Sequence, residues 1–400
     1  MYVIHLDSSK DITQVFKDLR VDPYGIDIML PKSLPFLIKI NSIPRIAATI
    51  LKQEMLSLGG DAALPRNALM GGRKKTDCFL IGSLSQLNRL CRKLTTQPFG
   101  LSGLAADLSR TLSGYSDNAH TFFLGKHRLE FSKRTYIMGV VNLTPDSFSG
   151  DGFYRDLLFK EPQAALEKVQ AMINDGADII DVGGESSRPG ATAISVQEEI
   201  RRTVPVVKLL AKKIKVPISI DSYKPEVARR ALDNGAQMVN DITGLRNSAM
   251  RKIVSAYNAA AVIMHMKGSP RTMQNNPSYD ALIDELLVFL EGSLRLAEGS
   301  RIAREKIIVD PGIGFGKTLA QNLQILKRLK DFQSLGRPIL IGPSRKAFIG
   351  RLLTLEPQER IFGTVSACVA AVQRGASLVR VHDVKEVAQA LKIVDSIMHA

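Results

Sequence analysis

From Thr135 onward the chain repeats one local rhythm: a short β-branched run, a polar or glycine-rich turn, then an amphipathic stretch. The runs are YIMGVVNL from Tyr136, DIIDVGG from Asp178, VPISIDS from Val216, MVNDIT from Met238, AAVIMHM from Ala260, KIIVDPG from Lys306, PILIGPS from Pro338 and SLVRVHD from Ser377. Segments between them, such as EPQAALEKVQAMINDGA, place apolar residues every three or four positions and end in a glycine suited to a helix C-cap. Apolar strands that alternate with helices predict an all-parallel sheet covered by helices. At this length a closed (β/α)8 TIM barrel is favoured over an open doubly wound sheet.

Each run ends in polar or ionisable residues: Asn142; Asp181 with Glu185; Asp221; Asn240; His265; Asp310; Ser344 with Arg345 and Lys346; Arg380 with His382. One such residue is readily explained as a helix cap or a solvated side chain. A full ring of them predicts a polar pocket at the mouth of the barrel, where barrel enzymes assemble their sites from the C-terminal ends of several strands. His265 lies in the apolar context MHM, where a lone histidine is more often packed than catalytic, and it receives no role.

Ahead of the barrel, FLIKINSIPRIAATILKQEMLSLGG and DCFLIGSLSQLNRLCRKL each read as a strand followed by an amphipathic helix. They predict a small α+β N-terminal domain over residues 1–118, with the barrel over 119–400. The stretch from Pro65 to Lys75 reads as an exposed loop. FFLGKHRLEF from Phe122 reads as a hairpin centred on Gly125 that plugs the lower mouth of the barrel.

Composition adds little to this picture and excludes several classes. The chain has 400 residues, 45% of them hydrophobic, enough for a packed core without disorder. The start MYVIHLDSSKDITQ lacks the basic and apolar regions of a secretion signal, and no run of 18 apolar residues occurs, so a cytoplasmic protein with no membrane partner is expected. Cys78, Cys91 and Cys368 form neither a CxxC pair nor a metal cluster. The net charge of +15 is spread along the chain, and the tight basic run Arg73, Lys74, Lys75 has no interleaved aromatics. Nucleic acid is therefore not an expected partner, and the charge can equally serve small anionic substrates or solubility alone.

Two loops are marked. Asn142-Leu143-Thr144-Pro145-Asp146-Ser147-Phe148-Ser149-Gly150-Asp151-Gly152 follows the first run, and Gly183-Gly184-Glu185-Ser186-Ser187-Arg188-Pro189-Gly190 follows the second. The pair resembles the signature loops of the dihydropteroate synthases. The likeness continues in order through SIDSYKPEVARRALDNGA, NDITGL, MHMKGSPRTMQ, DPGIGFGK, GPSRKAFIG and RVHDVKE, from about Thr121 to the C-terminus. Residues 1 to about 118 fall outside it. The glycines and lysine of DPGIGFGK lack the GxxxxGK[ST] spacing of a nucleotide-binding loop. They are read as letting the backbone approach a flat ligand.

The resemblance implies an enzyme that joins 6-hydroxymethyl-7,8-dihydropterin diphosphate to p-aminobenzoate, giving 7,8-dihydropteroate and pyrophosphate for folate biosynthesis. By the same resemblance Asp221, Asn240, Asp310 and Lys346 satisfy the donors and acceptors of the pterin, which a buried pocket must pair. Val140, Ile242, Met264 and Phe315 wall the ring, and Arg380 stacks on it while facing the phosphates. Asn142, Ser187, Arg188, Arg380 and His382 cradle the departing pyrophosphate, whose charge grows as the carbon–oxygen bond breaks. Arg380, His382, Lys346 and Asn142 form the catalytic set, and Asn142 also ligates a Mg2+ ion that takes most of its oxygens from phosphate. Ser187, Pro189, Ser344 and Lys346 are implied at p-aminobenzoate, and a homodimer is implied as the assembly.

The sequence departs from the family in two places. The family commonly reads Ser-Asp-Gly-Gly where this chain has Ser149-Gly150-Asp151-Gly152, and Ser187 stands where threonine is usual. Neither change removes an implied pyrophosphate donor. The alternatives are a methyltetrahydrofolate-dependent methyltransferase, which needs the pterin contacts without the SRK and RVH cations, and a non-catalytic pterin-binding paralogue.

Overall fold

The structure is a computed structural model, and it describes residues 1–4, 6, 8–68, 74–116, 121–144, 162–188 and 190–400. The chain divides into two compact units, Met1–Ser116 and Asp117–Ala400.

The first unit runs α1 (Ser9–Asp18), α2 (Pro23–Ser33), β1 (Pro35–Pro44), α3 (Arg45–Ser57), β2 (Asp61–Ala63), β3 (Lys75–Ser83), α4 (Leu84–Leu94) and α5 (Leu101–Ser116). Its strands form an antiparallel sheet in the order β1-β3-β2. The two expected strand–helix units are β1–α3 and β3–α4. Ser83 starts α4 by accepting from Gln86 N–H, while the Gln86 side chain returns to the Ser83 backbone. Leu51, Met55, Leu80, Leu87, Leu90 and Leu94 are fully buried between the helices and the sheet. Helices α1, α2 and α5 and strand β2 are additions to the expectation. The spacing of Leu101, Ala105, Leu108 and Leu112, all buried, was a readable helical signal for α5.

The second unit opens with the hairpin β4 (Thr121–Leu124) and β5 (His127–Glu130), turned by Gly125 at a φ of 56°. Then come β6 (Tyr136–Asn142), α6 (Pro162–Asn174), β7 (Ile179–Gly183), α7 (Val196–Lys213), β8 (Ile218–Asp221), α8 (Pro225–Asp233), β9 (Met238–Asp241) and α9 (Ser248–Ala256). Next follow β10 (Ala260–Met264), α10 (Leu282–Gly299), β11 (Ile307–Asp310), α11 (Leu319–Lys327), β12 (Leu340–Ile341), α12 (Ala347–Leu353), α13 (Ile361–Val372), β13 (Leu378–Val381) and α14 (Val384–Met398). Among the described residues eight parallel strands are ordered β11-β10-β9-β8-β7-β6-β13-β12. A parallel bridge between Val309 and Ile339 joins β11 to the start of β12 and closes the ring. The unit is a (β/α)8 barrel.

Successive side chains of a strand face opposite ways, so each strand splits into an outward and an inward set. Ile137, Val141, Ile180, Val182, Ile218, Ile220, Val239, Ile263, Val309, Ile341 and Val379 pack outward against the helices. The inward set is apolar where the strands begin: Tyr136, Met138, Ile179, Met238, Ala260, Ile308, Leu340 and Leu378 cluster with Phe122, Leu124 and Leu129 of the hairpin. The hairpin thus caps the lower mouth. Farther along, the inward parity falls on Asn142, Asp181, Asp221, Asn240, Asp310 and Arg380. Among the described residues no helix is long and apolar enough to cross a membrane.

Candidate active site

A cavity of about 540 Å³ opens at the C-terminal ends of the strands, lined among others by Val140, Asn142, Ser187, Arg188, Asp221, Phe315, Ser344, Lys346, Arg380 and His382. At its floor one ion cluster joins four strands. Arg380 donates from Nε to Asp181 Oδ2 at 2.7 Å and from Nη2 to Asp221 Oδ2 at 2.7 Å. Asn240 Nδ2 donates to the same Asp181 oxygen at 3.0 Å. Burial pushes Asp221 up to about 7, opposed by Arg380 and reinforced by Asp181 and Glu199. Asp181 was visible at a strand end but carried no assigned role. Its inward parity, one residue beyond Ile180, was the signal.

Beside the floor, Asp310 accepts from Gly312 N–H at 2.7 Å. Burial raises Asp310 to about 6, against the pull of Gly312 N–H, Lys346, Lys317 and Arg380. Burial likewise lowers Lys346 to about 8, helped by Arg380 and opposed by Asp310 and Asp221. The Lys346 ammonium lies 4.1 Å from the centre of the Phe315 ring. Phe315 joins Ile242, Met264 and Met273 in an apolar cluster. Val140 lines the cavity, while Met273, also a lining residue, was not anticipated.

Two of the glycines after β11 are required by the fold itself. Gly312, Gly314 and Gly316 all have positive φ, and a Cβ on Gly312 would stand 1.9 Å from the His265 carbonyl, one on Gly316 2.6 Å from that of Lys267. What the loop approaches through these two glycines is the chain after β10, and side chains there are excluded by neighbouring backbone.

The rim holds the other residues. His382 Nδ1 lies 3.0 Å from Ser344 Oγ, and its Nε2 lies 3.4 Å from Asn142 Nδ2. Burial holds His382 well below the ordinary imidazole range, reinforced by Arg380, Arg345, Arg188 and Lys168, so the ring is neutral at pH 7. Ser344 also accepts from His382 N–H at 3.2 Å. Arg345 is held by an ion pair with Asp383. The loop carrying Ser187 and Arg188 is anchored from beneath. Lys224 Nζ bridges Glu185 at 2.6 Å and Glu199 at 2.7 Å, and Tyr223 donates to Glu185 at 2.7 Å. Burial works against the Glu185 carboxylate, but Lys224, Tyr223 and Ile194 N–H outweigh it and keep its pKa below the ordinary value. Pro189 and residues 145–152 of the first loop lie outside the described residues.

As a metal ligand, Asn142 offers a hard amide oxygen, since its amide nitrogen is turned to His382. No group of three His, Cys, Asp or Glu able to hold a metal occurs among the described residues. That donor set fits a magnesium ion supplied mainly with phosphate and water oxygens.

Fold and cavity define a (β/α)8 barrel with a cation-rimmed polar pocket at the C-terminal ends of its strands. The family described as pterin binding enzyme matches residues 138–382. A dihydropteroate synthase of Synechocystis sp. is 43% identical over 276 residues, 68% of this chain and 94% of that protein. The solved structure of Xanthomonas albilineans dihydropteroate synthase with 4-aminobenzoic acid is 39% identical, covers 70% of this chain and 99% of its own, and superposes with a TM-score of 0.65. The chain belongs to the dihydropteroate synthase family. A probable bifunctional folylpolyglutamate synthase/dihydropteroate synthase of Halobacterium salinarum is 37% identical over 392 residues, 98% of this chain and 46% of that protein. The likeness to that relative therefore runs through the first unit as well, although the chain spans less than half of its length.

Proposed function

We propose that the cavity seats 6-hydroxymethyl-7,8-dihydropterin diphosphate with its ring on Asp221, Asn240 and Asp310, Lys346 at its carbonyl edge, and its diphosphate toward Asn142, Ser187, Arg188, Arg380 and His382. The chain is a transferase of folate biosynthesis that makes 7,8-dihydropteroate. The carbon–oxygen bond to the diphosphate breaks, pyrophosphate leaves with the electron pair, and the amine of p-aminobenzoate bonds to the freed methylene and gives up a proton. The electron-rich dihydropterin stabilises positive charge on that carbon, so departure precedes attack and no protein nucleophile is required. Arg188 and Arg380 stabilise the growing charge on the leaving group, and neutral His382, accepting from one Asn142 amide N–H, orients Asn142 toward it. Asn142 Oδ1 is the ligand we assign to magnesium, which when bound neutralises diphosphate charge. Ser187, Pro189, Ser344 and Lys346 are assigned to p-aminobenzoate.

The division of labour around one cavity carries this reading: Asp221 on its lining, with Asn240 and Asp310 buried nearby, supplies acceptors, and cations and amide donors form the rim. A methyltetrahydrofolate-dependent methyltransferase needs only the acceptors. We further assign the exposed Phe362, Ile393 and Ile397 on α13 and α14 to a contact with a second copy, giving a homodimer. Its three cysteines are unpaired, which suits the cytoplasm.

The test is to supply the purified protein with both substrates and magnesium. Pyrophosphate and dihydropteroate are expected in equal amounts, and neither without p-aminobenzoate. Retained pterin binding with no pyrophosphate release would reject the synthase reading in favour of a binding paralogue or methyltransferase.

A further inference from the structure

The lysine of DPGIGFGK has no place in the reaction as described, yet its side chain is among the most tightly held in the barrel. Lys317 is 2% exposed. Its Nζ lies 3.4 Å from the His265 carbonyl and makes three shorter hydrogen bonds, to Gly312 O at 2.8 Å, Phe315 O at 3.0 Å and His265 Nδ1 at 3.0 Å. Two of these acceptors are carbonyls. The third belongs to a histidine that burial and the nearby Lys317 charge pull down to about 3, so its ring is neutral and accepts through Nδ1. An ammonium has three N–H groups and matches this arrangement, whereas a neutral amine would turn its lone pair against one acceptor. Burial draws Lys317 down to about 7; what favours its charged form against that draw is the set of acceptors around Nζ and the nearby Asp310.

The three contacts join the end of β10 to the loop after β11. That loop contains three left-handed glycines, which have the largest conformational freedom to lose and cannot hold the turn by themselves. Within it, Phe315 underlies the Lys346 ammonium, and Asp310 stands at its base. We propose that Lys317 is a positioning residue for the pterin: it clamps residues 312–316 so that Phe315 walls the ring, and its charge keeps Asp310 an anionic acceptor. His265 is the fixed acceptor that orients it. The groups facing Asp310 are Gly312 N–H, Lys346, Lys317 and Arg380, and all four favour its anion. Removing one cation raises the Asp310 pKa, so the pH below which the acceptor is lost moves upward.

This inference rests on the cavity being the pterin site. Calorimetry with the pterin lacking its diphosphate, and separately with pyrophosphate, tests it on the full chain. Lys317→Met is expected to weaken pterin binding about tenfold, on the scale of one charge-supported hydrogen bond. The acid limb of pterin binding should shift to higher pH, with pyrophosphate affinity unchanged. A merely structural lysine would not move the acid limb. Wild-type pterin affinity and an unmoved limb in Lys317→Met, while Asp310→Asn abolishes binding, overturn the proposal alone. Normal pterin binding by Asp310→Asn overturns the reading of the cavity and the proposal with it. Should Lys317→Met fail to fold, His265 decides. His265→Asn keeps an acceptor near the Nδ1 position and should retain pterin affinity, whereas His265→Leu should lose it. Equal affinity in those two variants overturns the proposal.

Discussion

Asp181 illustrates what a single residue contributes here. It is fully buried, one of its oxygens accepts from both Arg380 and Asn240, and the other has no hydrogen-bond partner. An asparagine can put its amide oxygen in the shared position and its NH2 in the other. Asp181→Asn is therefore expected to keep pterin affinity within a few-fold. Asp181→Ala leaves Arg380 short of a buried partner and should cost about 3 kcal/mol of stability together with pterin binding. Denaturant unfolding and calorimetry check both, and an asparagine variant as damaged as the alanine one would show that charge rather than geometry is needed. A pH prediction belongs to the same scale. As pH falls through about 7 Asp221, and then through about 6 Asp310, takes up a proton and ceases to be an anionic acceptor for the ring; as pH rises through about 8, Lys346 loses one and its charge. Pterin affinity should peak between the carboxylate values and that of the lysine, and calorimetry that finds no fall on either side would contradict the assigned contacts. Most of these residues were legible because polar side chains interrupted apolar runs. The neutrality of His382 was not, since it follows from burial beside arginines brought together by other elements.

At the scale of elements, the hairpin and the βα junctions show how local signals are used. Gly176, Gly235 and Gly375 end α6, α8 and α13 with positive φ, and each precedes a buried alanine that leads into the next strand. These glycines were readable as caps. The hairpin was readable too, from two alternating runs about Gly125, and its packing explains why it persists. Phe122 is fully buried among the inward residues at the start of the strands. Phe122→Ala is expected to destabilise the barrel by about 3–5 kcal/mol through the cavity it leaves. Turnover at saturating substrate should stay near wild type, because the site is at the other mouth. Thermal unfolding and steady-state rates measure the two effects, and a large loss of turnover in a folded variant would tie the hairpin to catalysis. The loop after β11 was the element least open to sequence reading. Its glycines were visible, but what they approach depends on where His265 and Lys267 come to lie.

For the whole molecule, the first unit is the open question. It has a buried core of its own, and every residue assigned to substrate or metal lies in the second unit. A protein lacking residues 1–116 should fold, because the remaining barrel buries its own core, and should retain kcat and both KM values. Comparison of rates and sedimentation for full and shortened chains checks this. A folded, inactive barrel would show that the catalytic set is incomplete without the first unit. Retained activity with a changed particle size would assign that unit to assembly.

The sequence by itself determined the class of the barrel, the ring of polar strand ends and the family, because strand parity, helix spacing and ordered motifs are local properties of the chain. Tertiary structure alone decided how those groups share charge. Arg380 divides its guanidinium between Asp181 and Asp221, carboxylates on two adjacent strands 199 and 159 residues away. Lys317 finds His265 52 residues earlier. Pairings of that kind, and the burial that shifts their proton affinities, exist only once the ring of strands has closed and brought distant side chains into a medium where charges are weakly screened.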